Sequence, residues 1–163
     1  MEAVIAMPSN RGKRVKESSL VSTRWMFPSD ANPAGNVFGG AIVRYIDEIA
    51  AAVAQRHARS NVVIASIDRM DYHHPVRVGD LLTLKASVNH VGNTSMEIGV
   101  RVEAENPLTG ETVHAASAYA TMVALDRNGK PTPVPPLIPE TEEEKRRFAE
   151  GAVRRNKRSE KRG

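Results

Sequence analysis

GGAIVRYIDEIAAAVAQRH, residues 39–57, is the stretch on which the architecture turns. At 100° per residue, Ile42, Ile46, Ile49, Ala50 and Val53 gather on one side of a helical wheel, and Arg44, Glu48 and Gln55 on the other. That is a helix with one buried face. The alanines at 50, 51, 52 and 54 keep it slim, so neighbouring backbones can approach closely. Asp47 falls at the margin of the apolar stripe, beside Ala54, and not in the centre of the polar face.

Upstream of the helix, SLVSTRWMF (19–27) reads as a strand that Pro28 breaks. PSDANPAGNVFGG (28–40) is dense in proline, glycine, asparagine and aspartate, which marks a turn-rich loop of the length that often carries function. Downstream, four strands are expected at 62–73, 81–91, 96–104 and 112–125, separated by turn residues at Gly79-Asp80, Gly92-Asn93, Asn106-Pro107 and Asn128-Gly129. The third alternates strictly, Met96, Ile98, Val100, Val102 and Ala104 against Glu97, Arg101 and Glu103. On the last, the alternation places Val113, Ala115, Tyr119, Val123 and Leu125 together, leaving Ala116, Ala118 and Ala120 on the opposite face. Small residues on an outward face suggest oligomerisation.

The order strand, helix, four strands predicts an α+β fold. An antiparallel sheet of about five strands curls around one helix of roughly 28 Å, which covers its apolar face. PTPVPPLIP (131–139) is an extended linker. Thr141 and Glu144 form a capping box, predicting a short helix over 142–153 and then a basic disordered end. The division expected is a mobile basic arm at 1–17, one domain at 18–139, and a C-terminal helix and basic tail at 140–163.

The 163 residues are 40% hydrophobic, enough for one real core, and only 4% aromatic, thin for a surface that stacks bases. Without cysteine there is no disulfide, thiolate metal site or cysteine nucleophile. The net charge of +4 resides in the ends: residues 1–17 carry +2, 140–163 carry +3, and 18–139 carry −1. A folded nucleic-acid face is therefore not expected. No apolar run approaches a membrane span, and MEAVIAMPSN lacks the pattern of a secretory leader, so a cytoplasmic site of action is expected.

The segment from Asn32 to Asp47 carries the most chemistry. Gly39 and Gly40 open the helix, where free N–H groups and the helix dipole suit a developing oxyanion or a phosphate. Asp47, two turns inside, could activate a water. Turn chemistry and a solvated aspartate would explain the same residues without any function. The glycines match neither a P-loop nor a dinucleotide fingerprint. His73-His74 lacks a third ligand at a recognisable spacing, and adjacent strand residues point to opposite faces. Ser66 lacks a nucleophile elbow around it.

PSDANPAGNVFGGAIVRYIDEIAAAVAQRH (28–57), NVVIASIDRMDYHHPVRVGD (61–80), NTSMEIGVRVEAEN (93–106) and the segment 115–151 resemble hotdog-fold acyl-CoA thioesterases, in particular the cytosolic long-chain acyl-CoA hydrolases and their bacterial relatives. The resemblance spans about residues 18–155. It implies a hotdog fold and hydrolysis of acyl-CoA to fatty acid and CoA. It also implies a site between two hotdog units, and dimers often assembled to hexamers. By position, Asp47 matches the catalytic helix acid, Asn32 the loop asparagine, Gly39 the glycine whose N–H polarises the thioester carbonyl, and Ser66 a serine that holds water in some relatives. No metal or organic cofactor is implied, CoA entering only as part of the substrate. A non-catalytic acyl-CoA-binding or sensing protein is the alternative. A dehydratase would resemble a histidine-centred motif at the helix entry, and residues 28–56 contain no histidine.

Overall fold

The computed structural model describes residues 11–161. The elements run β1 (Lys13–Arg14), β2 (Leu20–Trp25), α1 (Gly39–Ala58), β3 (Asn61–Tyr72), β4 (Leu81–Val91), β5 (Ser95–Glu105), β6 (Thr112–Leu125), β7 (Leu137–Ile138) and α2 (Glu142–Glu160). The long strands form one antiparallel sheet in the order β2-β4-β5-β6-β3, and β1 pairs in parallel with β7. Helix and strands lie within a residue or two of where the periodicity puts them. The architecture is the hotdog fold, a sheet wrapped around α1.

Cross-strand rows such as Leu84, Val102 and Ala116, or Val88, Ile98 and Ala120, form one face of the sheet. They join Ile42, Ile46, Ala50 and Val53 of α1 in a single buried cluster. Complete burial of one such aliphatic side chain contributes about 1.5–3 kcal/mol, so this layer is the main source of stability.

Three expectations are corrected. Ala116, Ala118 and Ala120 point inward, at 0–1% exposure, not outward. A register shift between Val102 and Glu103 absorbs one residue of β6, so the parity set by Val113 opposite Ala104 is reversed from Ala116 onward. The alanines therefore line the core and no longer argue for association. The C-terminal helix, expected over 142–153, continues to Glu160 because Arg154 and Arg158 reach acids on the sheet. Within the expected mobile arm, residues 1–10 lie outside the described residues, but 13–17 pack on the domain. There, Val15 is buried and Lys13 Nζ donates to the carbonyls of Arg56 (3.0 Å) and His57 (2.7 Å), placing a cation on the C-terminus of α1.

Helix α2 covers the outer face of the sheet. Gly151 lets it approach: a Cβ there would lie 2.7 Å from His90 Cβ. The Phe148 ring packs against His90, the centroids 4.8 Å apart and the planes tilted by 50°.

Candidate active site

The loop between β2 and α1 holds its shape through its own polar groups. Asn32 N donates to Asn36 O (2.7 Å), and Asn32 Oδ1 accepts from the N–H groups of Ala34 (3.0 Å) and Asn36 (3.2 Å). Gly35 takes φ +87°, the left-handed turn this geometry requires. The oxygen of the Asn32 amide is thereby committed, while its Nδ2 has no partner among the described residues. The amide therefore presents a donor in a fixed direction.

Phe38 precedes α1 and offers no capping side chain. The N–H groups of Gly39 and Gly40 have no acceptor among the described residues, so the positive end of the dipole stays open. Tyr72, at the end of β3, donates its hydroxyl to Gly39 O (2.9 Å), and a Cβ on residue 39 would sit 3.1 Å from that hydroxyl oxygen. Glycine therefore suits both the open helix end and the tyrosine against it. Partial burial raises the Tyr72 phenol above its ordinary pKa, keeping it a neutral donor.

Asn32, Asn36, Gly39, Tyr72, His73 and His74 border one cavity of about 330 Å³. His73 and His74 follow the last residue of β3 and both reach this cavity, so alternation does not separate them. Among the described residues no group of three His, Asp or Glu is placed to hold a metal ion.

Asp47 does not border that cavity. It lies eight residues beyond Gly39, about 12 Å along the helix axis. At 100° per residue it is 200° from Tyr45, over whose ring Arg24 of β2 lies. On that wheel Asp47 falls on the side of α1 away from β2. Asp47 is half-buried, and its carboxylate has no hydrogen bond or ion pair among the described residues.

Ser66 is not brought to either group. It follows a bulge in β3 and pairs with Thr121 on the outer face. Its Oγ donates to Asp68 Oδ1 (2.7 Å), and Asp68 Oδ2 accepts from Thr121 Oγ1 (2.7 Å) and Arg158 Nη1 (2.9 Å). Tyr72 escaped the sequence reading, since a tyrosine ending a strand carries no motif of its own.

Residues 34–111 match the Thioesterase superfamily. The chain is 47% identical over 129 residues to an uncharacterized acyl-CoA thioester hydrolase of Bacillus subtilis, covering 79% of this chain and 75% of that one. It is 42% identical over 140 residues to the rat cytosolic acyl coenzyme A thioester hydrolase, of which it spans 36% against 85% of itself. A solved apo-hexameric acyl-CoA thioesterase superposes with a TM-score of 0.90 at 45% identity, covering 94% of this chain and 98% of that one. The acyl-CoA hydrolase of Staphylococcus aureus, solved with butyryl coenzyme A and coenzyme A, gives 0.86 at 38% identity, with 92% of each covered. That enzyme has also been solved with one aspartate, one asparagine or one threonine changed to alanine. The chain belongs to the thioesterase superfamily, among its hotdog-fold acyl-CoA thioester hydrolases.

Proposed function

We propose that this acyl-CoA thioester hydrolase works through a site completed by two copies of the chain. One copy supplies Asn32 and Gly39, the other Asp47. The observation that carries this is the separation within one chain: about 12 Å of helix divides the N–H groups at Gly39 from the Asp47 carboxylate, too far to serve one thioester carbon. β3 is an edge strand, with Val63 at 46% and Ile64 at 39% exposure, and Asp47 falls on the side of α1 away from β2, the other edge strand. A second copy joined along β3 brings its loop to that flank and builds two equivalent sites by two-fold symmetry. Three such dimers would give the hexamer described for the solved relative.

In this reading the Gly39 N–H polarises the thioester carbonyl and receives the developing oxyanion, a donor of the kind worth about 3–4 kcal/mol. Asn32 Nδ2 orients the carbonyl or the water. Asp47 takes the proton of the attacking water, roughly a 10²–10⁴-fold contribution. The products are a fatty acid and free CoA, and no covalent nucleophile is needed. In the Staphylococcus aureus enzyme the altered asparagine and aspartate are 15 positions apart, the separation of Asn32 and Asp47. The altered threonine lies 17 positions beyond that aspartate, and the same count from Asp47 ends on Ile64, not Ser66. This reading gives Ser66 no part in the reaction, because its Oγ donates to Asp68. The rat cytosolic relative supports a cytoplasmic site of action.

The test is release of CoA thiol from acyl-CoAs of short to long chain, by the chain and by Asp47→Ala. Turnover by the first and its loss in the second is expected. Tight acyl-CoA binding without hydrolysis by the unaltered chain would indicate the sensing role instead.

A further inference from the structure

We propose that Asp30 and Tyr45 form a clamp that sets the spacing between Asn32 and Gly39, making them positioning residues for the reaction. This rests on the proposed hydrolase site, in which those two groups act on one thioester. Asp30 closes the turn Pro28–Asp30 and is engaged on three sides. Its Oδ2 accepts from Phe27 N (2.9 Å), its carbonyl accepts from Phe38 N (2.8 Å), and its Oδ1 accepts from the Tyr45 hydroxyl at 2.6 Å. Asn32 stands two residues after Asp30, and Gly39 one residue after Phe38. One aspartate therefore ties the strand of the loop that carries the amide to the strand that delivers the helix start. Tyr45 anchors both to the body of α1.

Tyr45 is itself held. The Arg24 guanidinium lies over its ring, 4.0 Å from the centroid, and Glu48 Oε2 is 3.6 Å from Arg24 Nη1. The ring therefore has one seat, between β2 and α1, from which its hydroxyl can meet Asp30. The hydrogen bond from Tyr45 leads in holding the Asp30 carboxyl below its usual range, and the same bond leads in raising the Tyr45 phenol. At neutral pH the pair is an ionised carboxylate and an un-ionised hydroxyl, the strong charge-assisted form. Neither side chain borders the cavity that Asn32 and Gly39 share. Their effect on the reaction passes through the backbone.

Loosening the clamp spares substrate binding elsewhere but misplaces donors that matter most as charge develops. Steady-state thiol release by the full chain tests this. Y45F keeps the ring under Arg24 and removes only the hydroxyl. It should lower kcat roughly tenfold to a hundredfold while KM stays within about twofold and the thermal midpoint stays close to that of the unaltered chain. D30A should do the same, and the double variant should be no slower than D30A, because the two residues act as one unit. D30N, whose one amide oxygen can still accept from Tyr45 while its NH2 loses the bond from Phe27 N, should recover part of the loss. Unchanged kcat in Y45F, additive losses in the double variant, or a rate loss that follows the thermal midpoint would each overturn the clamp. Should Y45F fail to fold, D30A against D30N makes the same discrimination: equal losses in those two variants would overturn the clamp. If the unaltered chain releases no thiol, the failure belongs to the hydrolase reading and not to the clamp.

Discussion

At the entry to α1, the amide nitrogen of Asn32 and the N–H groups of Gly39 and Gly40 have no partners among the described residues, and two turns further along the helix neither does the Asp47 carboxylate. Beneath α2 the opposite holds. Glu97, at 2% exposure, accepts from Arg154 Nε and Nη2 at 2.7–3.1 Å and from Asn89 Nδ2 at 3.3 Å. Asp68 accepts from Ser66, Thr121 and Arg158, and the Arg154 guanidinium lies 3.8 Å from the Tyr119 ring centroid. A buried charge left unpaired costs several kcal/mol, so a region that only holds the fold saturates its polar groups. Groups kept open at a helix start are tolerable where water or a substrate can meet them. The two regions sort the acids of the chain by role: Glu97 and Asp68 hold α2, while Asp47 is available.

The largest effect that can break this contrast is at Asp47. Asp47→Ala should lower kcat by roughly 10²–10⁴-fold with little change in thermal midpoint. Mixing that variant with Asn32→Ala under conditions that exchange subunits should restore about a quarter of full activity, since heterodimers then carry one intact site. No recovery on mixing would argue that each chain holds its own complete site.

Arg154→Ala reverses the pattern. It leaves the Glu97 carboxylate with only Asn89 Nδ2 at 3.3 Å and Arg158 Nη1 at 3.6 Å, and should cost about 3 kcal/mol of stability, while the remaining folded protein keeps its kcat. Urea unfolding monitored beside thiol release separates the two. A loss of kcat without loss of stability would mean that α2 takes part in the chemistry.

A smaller effect lies with two buried histidines. His57 Nε2 donates to Pro135 O (2.8 Å), and its Nδ1 is buried without a partner among the described residues. Burial is the leading cause that lowers the pKa of His57 and of His90, and for His90 the nearby Arg155 adds to it. The unfolded chain takes up these protons more readily than the native one. Their contribution is therefore fully present above about pH 6.5 and declines as pH falls below it. The thermal midpoint should drop between pH 7 and pH 5, and the drop should shrink in His57→Gln. An equal slope in that variant would assign the pH dependence elsewhere.

Smallest is Lys13→Ala, which removes a cation from two carbonyls at the end of α1. It should cost about 0.3–1 kcal/mol, read as a small fall in thermal midpoint with activity intact.

The apolar stripe of 39–57 and the alternation of Met96–Ala104 sufficed for the helix, the strands and the wrapped sheet, because burial patterns of period 3.6 and 2 are local properties of the chain. The same local reading found the glycines at the helix start and marked Asp47 as a residue off the polar face. Tertiary structure decided the rest. The bulge in β6 reversed the parity that a straight alternation assigned to Ala116, Ala118 and Ala120. The bulge in β3 placed Ser66 on the outer face. Arg158 and Asp68, 90 residues apart in sequence, joined to extend α2 beyond the end its composition suggested. Asp30 and Tyr45, 15 residues apart, met across the loop. Each of these depends on which residues from distant segments come to share one register or one ion pair, and that is not written in the spacing of either segment alone.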